Sequence, residues 1–165
     1  MKDDDWWDEI RKKLAGASRI VIVGTGNDCS PVDRLGMYAA QKLRNGNIPQ
    51  AGIFLAGTVP ESVRAPVRRS RPDHILLLDA ADMGARPGTI AIISKGTISG
   101  TLLSTHALQL SAVMEFMAKD TSAEVTLLGI QPDLTRPERG LTREDLEFLD
   151  QNLNVLLLFP QNRLA

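Results

Sequence analysis

Short, β-branched apolar runs alternate with amphipathic stretches along the whole chain. Arg19–Gly24 (Arg-Ile-Val-Ile-Val-Gly) is apolar without alternation, the pattern of a strand covered on both faces. Ala51–Ala56, Asp73–Asp79, Thr89–Ser94 and Glu124–Ile130 also read as strands, and Ile75, Leu76, Leu77 and Leu78 stand in a row within the third. Between them lie helical periods. Trp6–Leu14 places Trp6, Ile10, Lys13 and Leu14 near one face. Ser30-Pro31-Val32-Asp33 has the grammar of a helix start, with Ser at the cap, Pro in the first turn and an acid three residues on. It predicts a helix to about Arg44 that stops at Asn45-Gly46. Thr58-Val59-Pro60-Glu61 repeats that grammar ahead of a helix to about Arg69. His106–Lys119 carries Leu110, Val113, Met114 and Met117 on one stripe, and Thr142-Arg143-Glu144-Asp145 caps a last helix through about Val155. Lys95–Thr105 and Gln131–Gly140 read as loops.

Strands alternating with helices imply a three-layer αβα sandwich, an α/β fold with a mostly parallel twisted sheet of about five strands. A length of 165 residues fits one domain over 1–165, with residues 1–17 as an N-terminal helical extension. Such a domain buries roughly 70% of its unfolded surface, enough for a full apolar core. Sheets of this kind bind ligands at the carboxyl ends of their strands. The places to look are therefore the segments after Gly24 and Leu78 and the loop before His106.

Composition narrows the partners. A net charge of −1 argues against a nucleic-acid binder, which needs a concentrated basic surface. The one basic cluster, Arg64, Arg68, Arg69 and Arg71, is short and reads as a solvated face. Cys29 is the sole cysteine, so no internal disulfide is possible and a reducing compartment is expected. No apolar run approaches the roughly 18 residues of a membrane span. The acidic start with Trp6 and Trp7 is unlike a signal peptide, so a cytoplasmic protein without membrane attachment is expected.

Several residues carry candidate chemistry. Gly24-Thr25-Gly26-Asn27 follows the first strand but lacks the third glycine of a dinucleotide fingerprint, whose position holds Cys29. A nucleotide- or anion-binding domain stays open as an alternative on these glycines, which more simply let the backbone turn tightly beneath a ligand. Asp33 reads either as a helix-start carboxylate or as a ligand. Asp79 ends a wholly apolar strand at the ligand edge, where an unpaired carboxylate is costly to bury. Asp82 fits a turn acid. His106 precedes an apolar helix, whereas His74 lies early in a strand, away from that edge. Two carboxylates and one imidazole at strand ends make a three-ligand site with open positions, suited to divalent first-row metals. No Gly-x-Ser-x-Gly elbow is present. Cys29 is open to two readings, a nucleophile near His106 or a small packing residue.

At these residues the chain resembles the nickel–iron hydrogenase maturation endopeptidases, notably the branch processing formate-hydrogenlyase-type hydrogenases. The matching blocks are Leu77-Leu78-Asp79-Ala80-Ala81-Asp82-Met83-Gly84 with Pro87-Gly88, and Leu128-Gly129-Ile130-Gln131-Pro132-Asp133. Ser104-Thr105-His106 and Gly24-Thr25-Gly26-Asn27 match two shorter elements, and the likeness covers about residues 19–150. The resemblance implies a peptidase of the aspartic-type endopeptidase group that clips the C-terminal tail from a hydrogenase large-subunit precursor after nickel insertion. It implies Asp33, Asp79 and His106 as the metal-contacting and catalytic residues. The nickel is the substrate's own; another divalent metal is possible in vitro. The metal either polarises the scissile carbonyl or positions water. The family's acid-acid-Gly-x-Gly around the first ligand reads here Val32-Asp33-Arg34-Leu35-Gly36, and its Asp-Gly-Gly/Thr after the second strand reads Ala56-Gly57-Thr58. A relative that binds the nickel-loaded precursor without cutting is the alternative these departures motivate.

Overall fold

The strands with the most complete apolar runs lie innermost. A computed structural model describes residues 5–49, 51–94 and 107–158. Strands β1 (Ile20–Thr25), β2 (Ala51–Gly57), β3 (His74–Ala80), β4 (Ile90–Ile93) and β5 (Glu124–Ile130) form one sheet in the order β2-β1-β3-β5-β4. The first three and β5 pair parallel, while β4 runs antiparallel along β5. Every residue of β1 and β3 is buried, as expected where helices cover both faces.

Alternation along the strands sorts their side chains between two layers. Ile20, Ile22, Leu76, Leu78, Leu128 and Ile130 point to one face. They meet Trp6, Ile10 and Leu14 of α1 (Asp5–Leu14), Leu35, Ala39 and Leu43 of α2 (Leu35–Asn45), and Leu149, Leu153 and Leu156 of α5 (Arg143–Leu157). Val21, Val23, Ile75, Leu77 and Leu127 point the other way, onto Val67 of α3 (Arg64–Ser70) and the Leu110, Val113, Met114 and Met117 stripe of α4 (Ala107–Thr121). Each fully buried side chain of this kind contributes about 1.5–3 kcal/mol of transfer free energy. The three-layer sandwich follows directly from the periodicities. The N-terminal segment with Trp6 belongs to the core, since α1 shields the sheet face near β4.

Two helix starts differ from expectation. Ser30–Asp33 forms a turn and the helix begins only at Leu35. Ser30 accepts from the backbone of Asp33 and Arg34, so the start grammar is spent closing that turn. The helix then begins where Leu35, Ala39 and Leu43 reach the core, and Arg34 at its cap position makes no side-chain cap bond. The reading of Asp33 as a residue of the third helical position is therefore corrected. Thr58 likewise caps nothing: a 3-10 turn over Pro60–Val63 leads into α3. Thr142 does act as expected, accepting from the Asp145 N–H at 3.1 Å at the head of α5. Among the described residues no helix is long and apolar enough to cross a membrane.

Candidate active site

Three strand ends and the turns that follow them build one small pocket. Thr25 ends β1 and Gly26 follows it, Gly57 ends β2 with Thr58 and Pro60 just beyond, and Asp79 comes from β3. Asp33 arrives from the turn before α2, and Leu110 of α4 forms an apolar wall. Asp33 and Asp79, distant in sequence, thus face the same space. His106 and the Lys95–Thr105 loop lie outside the described residues.

Backbone geometry dictates how the carboxylates are presented. Asp79 has the alternation of Ile75 and Leu77 and so points to the α4 side of the sheet. It is buried, and its Oδ1 accepts from the Ala80 N–H at 3.0 Å. Asp33 is half-buried at the pocket's rim. Its carbonyl accepts from the Asn27 N–H at 3.2 Å, tying the turn before α2 to the loop after β1. Gly26 sits at the junction with φ of 128°, and a β-carbon there would collide with the Asp33 carbonyl and come within 3.7 Å of Asp79 Oδ1. Glycine at this position makes the approach of the two aspartates possible. The hydroxyl of Thr25 donates to the Leu78 carbonyl at 3.0 Å and braces β1 to β3 just beneath the pocket.

The loop after Asp79 is held by one amide side chain. Gln131 is buried; its Oε1 accepts from the N–H groups of Met83 at 2.6 Å and Ala85 at 3.3 Å. Its Nε2 donates to Asp82 Oδ1 at 3.3 Å and to the Pro132 carbonyl at 3.2 Å. Asp82 is exposed and also receives the Gly84 N–H, so it is the turn acid expected from its spacing. Asp133 is organised by Thr135, whose hydroxyl and N–H hold its carboxyl below the usual carboxylate range.

The remaining candidates lie elsewhere. His74 is buried on the opposite face near the amino ends of the strands, with Nε2 2.9 Å from Thr126 Oγ1 and Nδ1 3.9 Å from Glu124. Burial lowers its pKa, a shift opposed by Glu124. Cys29 is exposed in the loop after β1, its N–H bound to Asn27 Oδ1, and so packs in no core. Arg34 lines a separate groove over the outer side of α2. Arg64 and Arg68 pair with Asp120, and Arg64 lies 3.9 Å over the Phe116 ring, in keeping with a solvated basic face.

Among the described residues no three of His, Cys, Asp and Glu cluster as a metal site. Two carboxylates at one pocket supply hard oxygen donors; a third, imidazole ligand depends on His106. The segment after Gly24 is where the sequence points, whereas no residue-by-residue signal marks Thr58 and Pro60 for this pocket or Gln131 as the clamp of its loop. The available signal for Thr58 and Pro60 is their place just after a strand carboxyl end. For Gln131 it is a polar residue immediately following an apolar strand.

The family model described as hydrogenase maturation protease (HycI) matches residues 37–157. A putative hydrogenase maturation protease of Methanocaldococcus jannaschii is 34% identical over 130 residues, spanning 74% of this chain and 77% of that protein. The hydrogenase 3 maturation protease of Escherichia coli K12 is 32% identical over 115 residues, spanning 69% of this chain and 73% of that one. Among solved structures, the [NiFe] hydrogenase maturation protease HycI of Thermococcus kodakarensis superposes with a TM-score of 0.77 at 26% identity, covering 92% of this chain and 97% of that one. The solution structure of the endopeptidase HycI of Escherichia coli gives 0.67 at 26% identity, covering 82% and 87%.

Proposed function

The chain belongs to the hydrogenase maturation protease (HycI) family, and on that premise we propose that it removes the C-terminal extension of a nickel–iron hydrogenase large-subunit precursor once nickel is in place. The observation that supports this reading is the meeting of Asp33 and Asp79 at one pocket formed by strand ends. In this proposal their carboxylates, with the imidazole of His106, contact the nickel carried by the precursor. The metal belongs to the substrate, so the enzyme recognises a loaded precursor and leaves an empty one uncut. The reaction is amide hydrolysis. The carboxylates hold the metal and the adjacent scissile peptide in register, and the apolar wall of Leu110 limits water around the reacting carbonyl. On this reading the work is done in the cytoplasm, where the precursor would be loaded and cut before assembly.

The departures from the family pattern leave both carboxylates in place at the pocket. Arg34 lines the groove over α2, and Ala56 is buried in the core of the α4 side. This favours a cutting enzyme over a relative that only binds. The test is the intact mass of nickel-loaded precursor after incubation with the pure protein. Loss of a C-terminal fragment is expected with the wild type and not with Asp33→Asn, Asp79→Asn or His106→Ala, each still folded by circular dichroism. Equal cutting by all three variants overturns the site; an unchanged precursor mass with wild type overturns the activity.

A further inference from the structure

We propose that the outer edge of β2 is the docking strand for the precursor's tail, which adds to the sheet as a sixth strand running antiparallel to β2, away from the carboxylate pocket. The inference rests on the tail-cutting function above and says how the tail is held. β2 ends the sheet, paired with β1 on one side only among the described residues. The carbonyl of Ile53 accepts from the exposed guanidinium of Arg44 at 2.9 Å and so faces outward. In a strand the N–H and C=O of one residue point the same way and alternate between neighbours, so the polar groups of Leu55 face outward with those of Ile53. These form the hydrogen-bonding row that an extended peptide completes.

Continuity with the pocket fixes the occupant. Gly57 and Thr58, at the end of this same strand, line the space shared by Asp33 and Asp79. A tail whose first residue leaves that pocket along the edge runs from Gly57 toward Ala51, a span of about 20 Å at the usual rise per residue. Its alternate side chains meet a groove beside the edge. The floor of that groove is Leu55 and its wall is the outer stripe of α2, with Arg34, Tyr38, Gln41 and Asn45 at helical spacing. Arg44 completes the match. It donates to the Ile53 carbonyl and forms no ion pair with a carboxylate among the described residues, so its charge remains available to the tail's terminal carboxylate. In the absence of substrate it shields an edge that would otherwise invite a second chain.

Pulsed hydrogen exchange on the whole protein, with excess nickel-loaded precursor, reads the edge directly. The amides of Ile53 and Leu55 are expected to gain protection on mixing. Ile53→Pro removes an outward donor while leaving the pairing with β1 in place. It is expected to raise KM about tenfold, with kcat changed less than about twofold, as loss of remote binding requires. Arg44→Glu is expected to raise KM as well, more at low salt than at high. Cutting that proceeds while both amides exchange as in the free protein overturns the docking strand and leaves the tail-cutting function standing. Neither cutting nor protection overturns both. Edge amides that are protected without precursor, in step with protein concentration, point to a second copy on the edge and overturn the proposal.

Discussion

Gly36 in the first turn of α2 lies against the backbone carbonyl of Leu78, the residue before Asp79, so closely that a β-carbon would collide with it and with the Thr25 carbonyl. The helix therefore packs backbone to backbone on the ends of β1 and β3, and this contact sets how near Asp33 comes to Asp79. Gly36→Ala is expected to destabilise the fold by about 1–3 kcal/mol, because the added methyl group forces helix and strands apart. Urea unfolding measures this, and an unchanged midpoint would show that the helix shifts freely.

Gly26→Ala probes the junction of the two aspartates from the other side. A side chain at φ of 128° is strained, and this one would also strike the Asp33 carbonyl. A cost of about 1–3 kcal/mol is expected from the backbone alone. Processing of nickel-loaded precursor should fall further than stability explains, since the turn carrying Asp33 must move. Full processing by a folded variant would separate Gly26 from site geometry.

Gln131→Leu removes the clamp on the loop after Asp79. The N–H groups of Met83 and Ala85 lose their acceptor, at a cost of roughly 1–3 kcal/mol if they stay buried. Faster amide exchange confined to that loop is the expected signature. Exchange rates equal to wild type would mean that the loop holds itself.

His74 makes stability sensitive to acid. Burial lowers its pKa in the folded state, so the unfolded chain binds a proton more readily. Stability is fully present above the unfolded value of about 6.5 and declines as pH falls through and below it toward the folded value. His74→Gln should flatten this limb of a plot of unfolding free energy against pH. A variant with the wild-type slope would assign the acid sensitivity to other groups.

Tyr38 does the same at the alkaline end. Its pKa is pushed up to about 12 by burial first and then by the neighbouring Asp150, whose Oδ1 accepts the phenol hydrogen at 2.7 Å. A raised folded value means that the stabilisation is present below the unfolded value of about 10 and is lost as pH rises toward the folded one. This is the only tyrosine in the chain, so its ionisation can be followed by ultraviolet absorbance without interference. Titration near 10 in the folded protein would contradict the contact. Tyr38→Phe should cost about 0.5–1.5 kcal/mol by cutting a link between α2 and α5.

The layers of the fold were legible in sequence because burial on both faces leaves an unmistakable trace. Ile75 to Leu78 carries no polar break, and the Leu110, Val113, Met114 and Met117 stripe keeps helical spacing. Helix starts were less legible. Ser30-Pro31-Val32-Asp33 and Thr142-Arg143-Glu144-Asp145 look alike as strings, yet only Thr142 caps a helix. The same local hydrogen bonds serve a turn or a cap, and the choice fell to the apolar residues that had to reach the core.

By itself the sequence determined the sheet, its covering helices and the strand ends where chemistry belongs, because hydrophobic period and burial are local signals summed along the chain. Only the tertiary structure decided that Asp33 and Asp79 share a pocket, that Gly26 and Gly36 let their supports touch, and that β2 stands at an edge. Those relations join segments tens of residues apart, and no spacing in the chain encodes a distance across a sheet.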